Sequence, residues 1–429
     1  MQNYFFTIKS RFQAALKKIF PEKIWRRLET VYHFTLAFLA ALLYRFPSRR
    51  IFVIGVTGTK GKTTVAELLS AILEEAGYKT AVSNTVRFKI GAESYDNTMK
   101  MTMPGRFFLQ RFLRRAVRER CGYAIIETTS EGARQFRDRF IELNALIFTN
   151  LAPEHIESHG SYEKYRDAKL SIAKRILKSR KKRRFLVVNR DDKEAPAFLN
   201  IGVPETYGFS LADAMPYTVK KEGVSLSVRD IPIHSKLSGI FNIYNMLAAA
   251  TCAEHLGIGA DTVARAFSKF SGIPGRMEKI DLGQDFTVIV DYAHTPDSLL
   301  KVYEVFQNAK KICVLGGTGG GRDAWKRPEM GKIADAYCSK IILTNEDPYD
   351  ENPMEIVHTI KEGIRRPVAE IIIDRREAIR KALESAETGD VVIITGKGSD
   401  PYIMGPSGTR LPWSDALVAR EELAKMLAA

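Results

Sequence analysis

From Arg50 onward the chain alternates short apolar runs with longer stretches in which apolar residues recur every three or four positions. The first pair is Ile51-Phe-Val-Ile-Gly55 and the helical pattern of residues 63–76, a predicted strand and helix. Runs at 123–127, 145–149 and 185–189 are continuous in apolar residues and separated by helical stretches, which predicts strands buried on both faces. Such alternation predicts a mostly parallel sheet flanked by helices. A second set of runs at 288–291, 311–315, 341–344, 371–374 and 391–395 follows Ile273-Pro-Gly-Arg276 and predicts a smaller, Rossmann-like α/β unit. The expected division is a helical segment over 1–48, a central domain over 49–273 and a C-terminal domain over 274–429.

The first segment has a different pattern. Residues 1–50 hold ten Lys or Arg against two acidic residues, and an apolar run at 31–44 is bounded by Arg45, Arg49 and Arg50. That run is shorter than the ~18–20 residues of a spanning helix, and no small-residue cleavage site follows it. Two readings stay open: a basic helix lying on an anionic membrane, and a helix packed on the next domain.

At 429 residues the chain has room for several cores, and its net charge of +15 draws anionic partners. No zinc finger, aromatic RNA-binding signature or basic recognition helix is present in the sequence, so nucleic acid is not the expected partner. The basic run Arg180-Lys-Lys-Arg-Arg184 reads as a solvated turn before a strand. Cys121, Cys252, Cys313 and Cys338 show no CxxC spacing, which predicts neither a metal cluster nor a disulfide framework and fits a reducing cytoplasm.

The sharpest chemical signal lies between the first predicted strand and helix, at Gly55-Val-Thr-Gly58-Thr59-Lys60-Gly61-Lys62-Thr63-Thr64. A bound triphosphate needs backbone N–H groups in close approach, a lysine near its outer phosphates and a hydroxyl for magnesium. Lys62 and Thr63 fit the last two needs. Gly55 stands one residue too far from Gly61 for the ordinary phosphate-loop pattern.

With that extra residue the loop resembles that of the Mur ligase family, and the resemblance runs from Arg50 to the C-terminus. It implies a central P-loop ATPase domain, ATP and Mg2+ as requirements, and a nucleotide contact through Gly58 to Thr64. Glu127, followed by Thr-Thr-Ser130-Glu-Gly, resembles the magnesium-binding glutamate stretch, and Glu131 stands where tripeptide-forming relatives usually have histidine. The segment Thr149-Asn-Leu-Ala-Pro-Glu154-His155 implies that His155 binds a second magnesium. Tyr165-Arg-Asp-Ala-Lys169 resembles the segment whose lysine is carbamylated into a metal-bridging carboxylate.

By the same resemblance Asn245 of Gly239-Ile-Phe-Asn-Ile-Tyr-Asn245 reaches adenine, and Arg276 of Gly275-Arg276-Met277 meets the γ-phosphate. In Asp291-Tyr-Ala-His294-Thr-Pro296 the aspartate holds the ribose and His294 borders the nucleotide. The catalytic set is thus Lys62, Lys169, His155 and Arg276. Substrate contacts fall to Thr102, Ser130, Arg322 of the glycine-rich loop, Asp347 and Tyr349 of Glu346-Asp-Pro-Tyr349, and Gly396 and Asp400 of Gly396-Lys-Gly-Ser-Asp400. Lys326-Arg327-Pro328 resembles a family helix start.

The expected reaction is addition of a diamino acid, meso-diaminopimelate or L-lysine, to a UDP-linked peptide precursor through an acyl phosphate, by a cytoplasmic monomer. Tyr349 stands where diaminopimelate-adding members carry arginine, and Thr102-Met-Pro104 departs from the family's T-T-P, so the acceptor stays open. The family's uridine-gripping N-terminal domain has no evident counterpart before the loop, which leaves uridine recognition weak or on the basic segment. Competing readings are another branch such as folylpolyglutamate synthase and a non-catalytic scaffold, the latter disfavoured because Lys62, Thr63, Glu127, His155 and Lys169 are all present.

Overall fold

The computed structural model describes residues 22–428 apart from 155 and 322, and only the backbone of residues 22–27, 156 and 158. Its central sheet has eight strands in the order β4-β3-β2-β5-β1-β6-β7-β8. The inner strands β1 (Phe52–Thr57), β2 (Thr80–Ser83), β5 (Tyr123–Glu127), β6 (Ala145–Phe148) and β7 (Phe185–Asn189), with β8 (Glu205–Phe209) at one edge, are all parallel. At the opposite edge β3 (Arg87–Ile90) and β4 (Glu93–Asp96) turn antiparallel. Every residue of β4 is exposed, and its Glu-Ser-Tyr-Asp composition gives no apolar run to predict from.

Helix α1 (Glu22–Leu43) precedes this sheet; α2 (Lys62–Glu75), α3 (Arg106–Arg118), α4 (Tyr162–Leu177), α5 (Ile240–Glu254) and α6 (Ala260–Lys269) follow in order. One face of the sheet packs against α2 and α5 through Val65, Leu69, Ile243 and Leu247, and the other against α3 and α4 through Leu109, Leu113, Ile172 and Ile176. Burial on both faces explains why β1, β5, β6 and β7 read as apolar runs. A separate antiparallel sheet of β9 (Thr218–Lys220), β10 (Gly223–Val228) and β11 (Ile231–Ser235) packs beside α5; its short strands carry too many polar residues to have been predicted.

The C-terminal sheet runs β12-β13-β17-β14-β15-β16. Strands β13 (Thr287–Asp291), β14 (Lys311–Leu315), β15 (Lys340–Leu343), β16 (Ala369–Ile371) and β17 (Val391–Thr395) are parallel, and β12 (Glu278–Ile280) is antiparallel at the edge. The helices here are α7 (Pro296–Val305), α8 (Lys326–Tyr337), α9 (Pro353–Lys361), α10 (Arg375–Glu384) and α11 (Asp415–Ala428). The predicted strand at 371–374 lies too far along the chain. Its end is taken by Asp374, whose side chain accepts from the Glu377 N–H at 2.9 Å and caps α10.

The cysteine reading also needs correction. Cys313 on β14 and Cys338 beyond α8 form a disulfide with a Cα separation of 6.2 Å. Pairing of β14 with β15 brings together two positions 25 residues apart, a proximity that spacing in the chain does not reveal.

One buried ion pair closes the second unit. Arg375 donates from Nε to Asp415 Oδ1 at 2.8 Å and from Nη2 to Oδ2 at 2.7 Å, with both side chains at most 1% exposed. The guanidinium also donates to the Asn345 and Thr395 carbonyls, and Trp413 Nε1 donates to Asp415. Removing one partner strands a charge in the interior. Arg375→Met is therefore expected to cost about 3–5 kcal/mol in urea unfolding, whereas Arg375→Met with Asp415→Leu recovers most of that loss. Equal loss in the single and double variants would show that packing, not the orphaned carboxylate, sets the cost.

Candidate active site

The phosphate loop bends back because glycine stands where nothing larger fits. Gly58 has φ +149° and a Cβ there would meet Thr149 Oγ1 at 1.9 Å; Gly61 has φ +83° and a Cβ would meet Asn245 Oδ1 at 2.2 Å. The loop's polar groups are then held from the end of β6. Thr59 N–H donates to the Asn150 carbonyl at 2.9 Å, Lys60 N–H to Asn150 Oδ1 at 3.0 Å, and Thr149 Oγ1 to the Lys60 carbonyl at 2.7 Å. Thr59 Oγ1 also meets the Tyr165 hydroxyl at 3.0 Å.

Two lysines converge on one oxygen. Lys62 Nζ donates to the Gly58 carbonyl at 3.0 Å and to that of Thr59 at 2.8 Å, while Lys169 Nζ donates to the same Gly58 carbonyl at 2.7 Å. Burial lowers the pKa of Lys62, against the pull of Glu127 and Glu154. Burial first and the Lys62 charge second hold Lys169 well below the usual lysine range.

Glu127 closes β5 with no solvent exposure. Burial raises its pKa, while Lys62 and hydrogen bonds from Thr63 and the Thr85 N–H favour the carboxylate. Thr85 N–H donates to Glu127 Oε1 at 3.0 Å, and Thr85 Oγ1 donates to Thr102 Oγ1 at 3.0 Å, which joins Thr102 to this cluster. A buried carboxylate with a hydroxyl beside it, at the mouth of a phosphate loop, is a donor set suited to a hard divalent cation that also takes phosphate oxygens. No ready-made cage of three or more His, Cys, Asp or Glu occurs among the described residues. Ser130 lies deeper, 3.1 Å from His159 Nε2. His155 and Arg322 fall outside the described residues.

Beside the loop a cavity of about 1250 Å³ opens between the two units, lined by Lys60, Gly61, Thr64, Asn245, Arg276 and Asp291 among others. Asn245 Nδ2 donates to Asn242 Oδ1 at 3.0 Å. Arg276 stacks over the Tyr292 ring at 4.3 Å, and its Nη1 donates to the Gly275 carbonyl at 2.9 Å. Both oxygens of Asp291 are engaged by backbone, accepting from Met277 N–H at 2.8 Å and Ala293 N–H at 2.7 Å, so this side chain ties the junction together. His294 faces Glu154 at 3.3 Å, and burial followed by the Lys60 charge lowers its pKa to about 4. Glu154 also accepts from Lys60 Nζ at 3.0 Å, so one carboxylate links the phosphate loop to the C-terminal unit.

The acceptor-side loops form a second cluster. Lys397 Nζ donates to Asp347 Oδ1 at 2.9 Å and lies 3.5 Å from Asp400. Lys100 of the central unit reaches across to the other Asp347 oxygen and sits 3.3 Å from Asp400. Burial opposes ionisation of Asp347, but Lys397 and Lys100 together hold its pKa below the ordinary value. Glu346 Oε1 accepts from Thr318 at 2.8 Å, whereas its buried Oε2 has no hydrogen-bond partner among the described residues and would be met at 2.4 Å by a Cβ on Gly396. Tyr349 adopts φ +53° and places its ring 6.0 Å from Lys100 Nζ. Sequence reasoning missed Lys100, whose partner Asp347 is 247 positions away, and assigned no role to Glu154 although it adjoins His155 in a quoted motif.

Comparison with known proteins identifies the family. Residues 56–253 match the Mur ligase middle domain and residues 275–398 the Mur ligase glutamate ligase domain. A UDP-N-acetylmuramoyl-L-alanyl-D-glutamate--2,6-diaminopimelate ligase of Syntrophomonas wolfei is 37% identical over 403 residues, 90% of this chain and 81% of that protein. A UDP-N-acetylmuramyl-tripeptide synthetase of Roseiflexus is 35% identical, covering 91% of this chain and 82% of its own. Among solved structures, a UDP-N-acetylmuramoyl-L-alanyl-D-glutamate--2,6-diaminopimelate ligase aligns at a TM-score of 0.60 with 28% identity, over 88% of this chain and 79% of the other. A folylpolyglutamate synthase of Mycobacterium tuberculosis reaches a TM-score of 0.70 at 16% identity, over 85% and 93%, and shows likeness of fold alone. With both domain models matched in order and relatives above 30% identity along nearly the whole chain, the protein belongs to the Mur ligase family and is an ATP-dependent ligase.

Proposed function

We propose that the chain joins a diamino acid, meso-diaminopimelate or L-lysine, to the glutamate carboxylate of UDP-N-acetylmuramoyl-L-alanyl-D-glutamate, as a cytoplasmic monomer with its domain junction at residues 273–274. The observation that carries this reading is the pair of clusters, one in each unit: Lys62, Glu127 and Lys169 at the phosphate loop, and Asp347, Lys397 and Asp400, which Lys100 of the central unit reaches across to meet. The relatives' names supply the substrate class.

In the first step a substrate carboxylate oxygen attacks the γ-phosphorus of ATP and the bond to the ADP oxygen breaks, leaving an acyl phosphate. Lys62 and Arg276 offset the charge that accumulates on the moving phosphoryl oxygens. Magnesium, when bound, screens the triphosphate, and Glu127, Thr63 and His155 are the groups proposed to hold it. The acceptor amine then attacks the acyl carbon, the C–O bond to phosphate breaks, and the amine proton is released. ATP is needed because an oxide is too poor a leaving group from a bare carboxylate.

Lys169 is proposed to act as a carbamate. A neutral amine adds CO2 to give an N-carboxylate and one proton, and the low pKa of this buried lysine favours the neutral amine. Gly58 to Thr64, Asn245, Asp291 and His294 are proposed to surround the nucleotide; Thr102, Ser130, Arg322, Tyr349 and Gly396 are proposed to line the substrate path. Asp347 and Asp400 suit a cationic amine, whose place the Lys100 ammonium takes.

Phosphate release from ATP and the UDP-linked dipeptide, screened over diaminopimelate, lysine and ornithine, is expected with at least one of them. Release only with a folate and glutamate would reject the substrate class. Lys169→Met is expected to lower kcat by about a hundredfold or more; wild-type activity is expected to fall in CO2-depleted buffer and return with bicarbonate, and indifference to CO2 would remove the carbamate. Lys100→Met is expected to lower the KM for the diamino acid severalfold by vacating its amine site. A raised KM would instead make Lys100 a direct contact of the acceptor.

A further inference from the structure

Helix α1 has two unlike faces. Ala37, Ala40 and Ala41 are buried against the central unit, and Phe34 and Phe38 meet Phe140 edge to face at centroid distances of 5.3 and 5.6 Å. Arg106 Nη2 lies 2.8 Å from His33 Nδ1 and fastens the helix to α3. The helix is therefore held on the domain, as one of the two readings of this segment expects. Packing accounts for only that side.

Leu28, Val31, Leu39, Leu42 and Leu43 follow one another at helical spacing along the outward face, and Val31, Leu42 and Leu43 are 62%, 52% and 66% exposed. No Asp, Glu, Lys or Arg interrupts residues 30–44. The stripe spans sixteen positions, about 22 Å of helix. A continuous apolar strip of that length is rarely left facing water.

Its surroundings are mostly basic, with Glu29 on the helix itself and Glu119 past α3 as acidic exceptions. Arg45 and Arg50 follow the helix and are exposed, and neither is ion-paired among the described residues. The neighbouring α3 holds five arginines and no acidic residue, with Arg111 and Arg118 exposed and likewise not ion-paired. An apolar stripe bordered by arginines matches an anionic bilayer surface, where the stripe enters the acyl boundary and the guanidiniums meet phosphate headgroups. A second copy of the chain would set arginine against arginine, which disfavours a dimer on this face. A spanning role is also closed, because no helix among the described residues is long and apolar enough to cross a membrane.

We infer that α1 and the arginines of α3 form a docking face for anionic membrane, seating the ligase on the bilayer surface with α1 lying in the interface. This goes beyond the ligase reading and does not depend on which acceptor is used.

The test is flotation of the full-length protein with vesicles of phosphatidylcholine alone or mixed equally with phosphatidylglycerol. Phosphate release with soluble substrates is assayed in the same preparations. Wild type is expected to bind the anionic vesicles at least about tenfold better than the neutral ones and to leave them at high salt. Leu39→Glu with Leu42→Glu is expected to cut binding about tenfold with phosphate release unchanged, and Arg111→Gln with Arg118→Gln to weaken it without altering α1. Failure to float on either vesicle overturns the inference, as does equal binding to both. A concentration-dependent dimer that the leucine substitutions break, without vesicle binding, would assign the face to a second copy. Because phosphate release is read separately, loss of the membrane face and loss of the ligase reading are distinguishable.

Discussion

Two amines share one carbonyl oxygen, and much of the site's chemistry follows from that crowding. Lys62 and Lys169 both donate to Gly58, in a loop whose glycines leave no room for a side chain between the strand and its neighbours. Two ammonium charges at such a separation, away from water, repel strongly. Burial first, and the Lys62 charge second, lower the pKa of Lys169, the more deeply enclosed of the two. The charge on Lys62 is favoured by Glu127 and Glu154. A loop built to receive a polyanion thus sets two amines of lowered pKa side by side, Lys62 with carboxylates near it and Lys169 the more deeply enclosed.

The second constraint is the junction. Asp291 uses both oxygens to hold the backbone of Met277, just past the junction, and of Ala293, and Gly275 packs so closely on the loop of Gly398 and Ser399 that a Cβ would meet the Ser399 nitrogen at 2.1 Å. Arg276 is oriented by this packing and by the face of Tyr292. Around that fixed seam, Glu154 meets His294, and the Lys100 ammonium meets Asp347 and Asp400, as polar and charged contacts between the units. Such contacts are cheaper to break and remake than a packed apolar interface, which suits a site that must open to admit two substrates and close over an acyl phosphate.

The parts legible in the sequence are those determined locally. Strands β5, β7, β14 and β17 coincide with their apolar runs because each is buried on both faces, and the phosphate loop announces itself through the order of glycine, lysine and threonine within ten residues. Contacts made only by folding stayed hidden. The Cys313–Cys338 disulfide depends on strand pairing, Lys100 finds Asp347 through domain apposition, and Thr85 reaches Glu127 across neighbouring strands. The three isoleucines at 371–373 drew the predicted strand too far, since periodicity cannot show that Asp374 is needed as a helix cap.

The most direct measurement is a crystal structure with magnesium and a nonhydrolysable ATP analogue. It should seat the triphosphate in the loop with the γ-phosphate between Lys62 and Arg276, the metal on Glu127 and Thr63, and extra density on Lys169 Nζ. A γ-phosphate lodged away from Lys62 and Glu127, with the loop lysines still folded onto the Gly58 carbonyl, would contradict the assignment of this pocket.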